Sequence, residues 1–137
     1  MRQAKPLLLI EDDDVDAMTV RRALKDLRAP HTLVHAANGE EALEYLRNEV
    51  NKKPGIILLD LNMPRMNGIE FLKVVKADER LRRIPVVVLT TSRNEKDILD
   101  SFRFYAAGYV VKPAGYKEFI DVVKTINEYW ALSELPS

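Results

Sequence analysis

Three observations predict a doubly wound α/β fold built on a parallel sheet. Short β-type apolar runs alternate five times with stretches of helical period. The runs "IILL" and "VVVL" are apolar at every position, as strands covered on both faces are. Turn signals punctuate the alternation: "RAP", "NG" at Asn38-Gly39, "KKPG", "MPRMNG", "RRIP" and "KPAG".

The elements follow in order. Leu7–Ile10 is a strand, and Val15, Met18, Leu24 and Leu27 stripe the helix after it. Residues 32–36 form the second strand, followed by a helix striped by Ala42, Leu43 and Leu46. Ile56–Leu59 is the third strand, and Ile69, Leu72 and Val75 mark its helix. Residues 86–89 and 109–111 complete the strands. Ile98, Leu99 and Phe102 stripe the fourth helix; Phe119, Ile120, Val123, Ile126 and Trp130 stripe the fifth. Trp130 reads as a core-edge anchor for that last helix.

The chain has 137 residues, 47% hydrophobic and 31% charged, which suits one well-cored domain over residues 1–137, with a core from about 6 to 130 and a short C-terminal extension. A formal net charge of zero argues against a nucleic-acid or acidic-membrane partner. With no cysteine there is no disulfide framework, thiol nucleophile or cysteine metal cluster. No apolar run approaches bilayer length, and "MRQAKPLLLI" holds too short a run for a signal peptide, so the expected location is cytoplasmic.

The stretch "LLLIEDDDVD" sets five carboxylates in six residues, Glu11, Asp12, Asp13, Asp14 and Asp16, at the end of a strand. In open α/β sheets the ligand site lies beyond the carboxyl ends of the strands. Glu11-Asp12, Asp60, Thr90 and Lys112-Pro113 all stand at such ends, which gathers carboxylates, a hydroxyl and an ammonium around one crevice. Mg²⁺ prefers hard oxygen ligands, and Asp12 and Asp60 suit it; a bound cation would offset the crowding of acids. Each residue alone has a plainer reading. Asp13 or Asp14 serves as an N-cap, Asp16 is a solvated helix residue, Lys112 a surface lysine before a tight Lys-Pro turn with a cis bond open to it, and Thr90 the end of a β-branched strand. The coincidence of all four at strand ends is what those readings leave unexplained.

Competing sites fail on particular residues. A calcium loop would need Gly and Glu where Ala17 and Ala23 stand. A phosphohydrolase of the haloacid-dehalogenase type would need a second acid two residues after Asp60, where the chain has Asn62, which has no titrating proton. A flavodoxin would want a Ser/Thr/Gly-rich phosphate loop where "EDDDVD" stands, and neither a Walker loop nor G-x-G-x-x-G is present.

At these residues the chain resembles the response-regulator receiver domain of two-component signalling, nearly end to end. "LLLIEDD" matches the acidic pair, "IILLDLNMPRMNG" the phosphoacceptor loop, "VVVLTTS" the switch hydroxyl, and "GYVVKP" the switch aromatic with its Lys-Pro. "DLNMPRMNG", "VVVLTTS" and "TINEYWALSELP" are similar to stand-alone regulators of the cyanobacterial phytochrome type. The resemblance implies a flavodoxin-like (βα)5 sheet of order 2-1-3-4-5. It implies Asp60 as phosphoacceptor, and a Mg²⁺ or Mn²⁺ site from Asp12, Asp60, the Asn62 backbone carbonyl and, mainly through water, Glu11. Thr90 and Lys112 would hold phosphoryl oxygens, and Tyr109 would be the rotating aromatic. The implied phosphodonor is a histidine kinase, phytochrome-like kinases among the candidates, or a phosphotransfer protein. Output would run through a changed α4-β5-α5 surface, with a homodimer on that face as one form of it. No substrate turnover is implied beyond modification and autodephosphorylation of Asp60.

The chain also departs from the pattern. Phe104 and Tyr105 stand where many receivers have Ala-Gly, and Tyr105 would find a left-handed helix end costly. Phe102, Phe104, Tyr105 and Tyr109 make the output region aromatic-rich, and Thr91 and Ser92 extend the hydroxyls after Thr90. His31 and His35 lie around the second strand, away from the expected site, with no chemistry assigned. Two other readings stay open: a phosphorylation-independent interaction module, and a Mg²⁺-dependent phosphatase of small phosphoesters.

Overall fold

A computed structural model describes residues 5–27 and 32–132. Five strands, β1 (Leu7–Ile10), β2 (Leu33–Ala36), β3 (Ile56–Leu59), β4 (Val86–Thr90) and β5 (Gly108–Val111), pair in parallel in the order β2-β1-β3-β4-β5. Five helices follow them in turn: α1 (Asp14–Asp26), α2 (Gly39–Arg47), α3 (Gly68–Ala77), α4 (Glu95–Arg103) and α5 (Tyr116–Leu132). The expected doubly wound sheet and its order are present.

Because side chains alternate across a strand, each apolar run feeds two cores. Leu8, Ile10, Ile57, Leu59, Val86 and Val88 meet Leu43, Leu46, Phe71, Leu72 and Val75 of α2 and α3. Leu7, Leu9, Ile56, Leu58 and Leu89 meet Val20 and Leu24 of α1 and Phe119, Val123 and Trp130 of α5. Trp130 is an anchor: a Cβ on Gly55 would lie 2.6 Å from its Cζ2, so the indole rests directly on backbone ahead of β3. The "SELPS" tail lies outside the described residues.

Four helices begin on an Asx cap. The side chains of Asp13, Asn38, Asn67 and Asn94 accept backbone N–H groups of the first turns of α1 to α4. Asp13, and not Asp14, is the cap of α1.

Three expectations need correction. The apolar stripe of α1 turns: Ala17, Val20, Ala23 and Leu24 are buried, while Val15 and Met18 face solvent. In α4 the fully buried residue is Ser101, and Leu99 and Phe102 are 67% and 50% exposed. A helix against a sheet buries the face its flanking strands aim inward, and small residues there let it lie close. The described residues contain no cis peptide, so the Lys112–Pro113 bond is trans.

The end of α4 is the costly alternative. Tyr105 takes φ 68°, its N–H bonds the Phe102 carbonyl at 3.0 Å, and the Ala106 N–H bonds the Ser101 carbonyl at 2.9 Å. This is a Schellman turn with tyrosine at the position glycine normally fills.

Candidate phosphoryl-transfer site

Sheet register assembles the site. Ile10 pairs with Leu59, so the residues after β1 and β3 emerge side by side. The Asp60 N–H donates to the Ile10 carbonyl at 3.1 Å, the Glu11 N–H to the Ala36 carbonyl at 3.0 Å, and the Lys112 N–H to the Thr90 carbonyl at 2.7 Å. These ladder bonds continue past the strands and hold each site residue by its backbone.

Carboxylate oxygens of Glu11, Asp12 and Asp60 all lie within 4.8 Å of one another. Glu11 and Asp60 are buried and Asp12 is exposed at the mouth. Like charges so close are mutually destabilising unless a cation shares them. The donor set is all oxygen and has an open side, which fits Mg²⁺ or Mn²⁺ and not a soft metal. The Asn62 N–H reaches Asp60 Oδ1 at 3.4 Å, which folds the following loop back over the acid.

Lys112 enters from the end of β5 with only 4% of its side chain exposed. Its Nζ donates to Glu11 Oε1 at 2.5 Å, Asp16 Oδ2 at 2.8 Å and Asp60 Oδ2 at 3.5 Å. Burial alone would lower its pKa; the bonds to Asp16 and Glu11 and the field of Asp60 outweigh burial and push it up, so the ammonium stays charged. Burial, assisted by Asp60 and opposed by Lys112, raises the Glu11 carboxyl from 4.5 to about 8. One ammonium does not neutralise the surrounding acids.

Thr90 is fully buried at the end of β4, and its hydroxyl oxygen accepts the Ser92 N–H at 3.4 Å. Ser92 Oγ in turn donates to Asp97 at 2.6 Å. Tyr109 packs partly against the α2–α3 core and its hydroxyl donates to the Ser92 carbonyl at 2.9 Å. The expected hydroxyl and aromatic are thus joined through one short loop. An open cleft lined by Asn62, Met63, Asn67 and Asp97 lies alongside.

Sequence reasoning missed three contributors. Asp16 is not a solvated helix residue but a direct partner of Lys112; its place in the first turn, at the sheet end where the other acids gather, was the available signal. Gly68 sits under the loop after β3: a Cβ there would lie 2.6 Å from the Asp60 carbonyl oxygen and 2.7 Å from Leu61 Cα. His35 is not remote, because its Nε2–H donates to the Glu11 carbonyl at 2.7 Å and steadies that backbone. His31 lies outside the described residues.

Comparison with known proteins agrees with this geometry. The family model of the response regulator receiver domain matches residues 7–124. Response regulator Rcp1 of Synechocystis sp. is 37% identical over 130 residues, 92% of this chain and 88% of that protein. The crystal structure of the phosphorylated cyanobacterial phytochrome response regulator RcpA superposes with a TM-score of 0.91 at 40% identity, covering 98% of this chain and 99% of that one. The Mn²⁺-bound form of Rcp1 gives 0.92 at 36% identity, covering 97% and 99%. With its order 2-1-3-4-5 sheet and its acids at the strand ends, this chain belongs to the response regulator receiver domain family of two-component signalling, whose members are phosphorylated on aspartate by histidine kinases or phosphotransfer proteins.

Proposed function

We propose that the protein is a stand-alone response regulator, one receiver domain over residues 1–137, that accepts a phosphoryl group on Asp60. The observation that carries this is the buried Asp60 carboxylate set between an acid cluster and the Lys112 ammonium. An Asp60 Oδ forms a bond to phosphorus in line as the N–P bond of a phosphohistidine breaks, and the imidazole nitrogen leaves with the electron pair. Asp12, Asp60, the Asn62 carbonyl and, mainly through water, Glu11 would hold Mg²⁺ or Mn²⁺, which would supply positive charge to the transferred oxygens. Lys112 adds a second positive charge beside Asp60 Oδ2. The Thr90 hydroxyl donates to one phosphoryl oxygen after transfer. As the loop after β4 follows Thr90, the Tyr109–Ser92 bond loosens and the ring moves inward, shifting a two-state surface.

The output surface is α4-β5-α5, with Leu99, Phe102 and Tyr105 among its exposed apolar side chains, and a homodimer on that face is one form of its output. The phosphodonor is a histidine kinase, of the phytochrome-linked kind that the name of RcpA suggests, or a phosphotransfer protein. The work is done in the cytoplasm, without nucleic acid or membrane; among the described residues no helix is long and apolar enough to cross a membrane. The chemistry is confined to modification and autodephosphorylation of Asp60.

The test is intact-mass spectrometry after incubation with Mg²⁺ and phosphoramidate. Wild type is expected to gain one labile phosphate, and neither the metal-free protein nor Asp60→Asn is expected to gain any. An adduct that survives Asp60→Asn would overturn the assignment. No adduct from either a small donor or a histidine-phosphorylated protein would favour the phosphorylation-independent module.

A further inference from the structure

The Lys112 ammonium has three N–H donors, and all three are aimed at carboxylates. Two of the contacts, to Glu11 and Asp16, are short, and the contact to Asp60 is stretched to 3.5 Å. Asp16 does not come from a strand end: it projects from the first turn of α1, with a quarter of its side chain exposed. Its acid is not needed there for the helix, because Asp13 caps α1 and Asp14 already places negative charge in the first turn. Nor is Asp16 among the carboxylates clustered for a cation. What its charge does is hold the ammonium from α1 with a contact shorter than the one to the acid that would be modified.

We propose that Asp16 is a positioning residue that restrains the Lys112 ammonium on the α1 side of the site and so slows phosphoryl capture at Asp60. This rests on the reading of Asp60 as phosphoacceptor. During transfer, negative charge collects on oxygens attached at Asp60, and Lys112 must shorten its weakest contact to meet them. Glu11 and Asp60 stay beside the ammonium throughout, so the bond to Asp16 is the one that lengthens. A charge-assisted bond is about twice as strong as its neutral counterpart, so lengthening it opposes that movement. In this arrangement the intrinsic reactivity of the regulator is set partly by a residue that touches neither the phosphoryl group nor the metal ligands.

The experiment compares wild type, Asp16→Asn and Asp16→Glu at saturating Mg²⁺, with phosphoramidate as donor and intact mass as the readout. Asp16→Asn keeps the shape and an acceptor oxygen but removes the charge, and it is expected to take up phosphate about fivefold faster, because the ammonium then gives up only an ion–dipole bond and no longer an ion pair. Asp16→Glu, which keeps the charge, is expected to stay near the wild-type rate. A rate for Asp16→Asn equal to or below wild type overturns the proposal. A wild type that takes up no phosphate from any donor sinks the phosphoacceptor reading instead. In that case hydrogen exchange of the Lys112 Nζ protons, followed by NMR without donor, tests Asp16 alone. Exchange speeds up in Asp16→Asn if Asp16 holds the ammonium; unchanged exchange overturns the restraint.

Discussion

Tyr105 shows how much a single backbone position can be asked to bear. Its φ of 68° brings Cβ toward its own carbonyl, a strain glycine escapes, and the residue is 76% exposed, so little packing repays that strain. Tyr105→Gly is therefore expected to raise the unfolding free energy by about 0.5–1 kcal/mol, net of glycine's greater freedom in the unfolded chain. Urea denaturation midpoints would show it; a lower midpoint in the variant would mean that the ring makes contacts worth more than the strain. Arg65, also at positive φ (68°), marks the loop between Asp60 and α3, where Gly68 lets the helix start against the Asp60-Leu61 backbone.

The helices divide by what they cover. α2 and α3 close one face of the sheet, α1 and α5 the other, and each presents a buried apolar row. α4 is different. Asn94 caps its start and the Schellman turn, strained at Tyr105, closes its end, yet Leu99 and Phe102 point outward. A helix held by its ends and by Ser101 against the strands can shift at modest cost when the loop after β4 moves. On this element Phe102→Ala is expected to weaken any phosphate-dependent self-association while leaving Asp60 modification intact. Sedimentation velocity with and without phosphate checks it: identical boundaries for wild type and variant in both states would remove α4 from the contact.

Across the whole molecule, the charge cluster ties β1, β3, β5 and α1 together and makes stability depend on pH. Glu11 has its carboxyl raised to about 8 when folded, against an ordinary value of 4.5. Between those values the folded protein holds more protons than the unfolded chain, so stability falls as pH rises through that window. Mg²⁺ reverses the sense, because it needs the deprotonated acid. The metal-free protein is expected to melt at lower temperature near pH 8 than near pH 6, and Mg²⁺ to raise the melting temperature more at the higher pH. Thermal melts in chelator and in Mg²⁺ at both values decide it; equal increments would mean that Glu11 is already ionised before the metal arrives.

Local chemistry in the chain was enough for the alternation of strands and helices, the burial of "IILL" and "VVVL" on both faces, and the gathering of Glu11, Asp12, Asp60, Thr90 and Lys112 at one sheet edge. These follow from side-chain period and from the rule that parallel strands end together, both of which are local or topological. Periodicity did not say which way α1 and α4 turn their apolar residues. Val15, Met18, Leu99 and Phe102 have the right spacing for a core, but a helix settles where its small residues allow close approach to the sheet. The partners of Lys112 were also beyond reach, since Asp16 is 96 residues away from it and their bond exists only once the start of α1 and the residue after β5 meet at the same end of the sheet. An ammonium buried among several acids distributes its bonds by distance, and distance is a property of the folded chain.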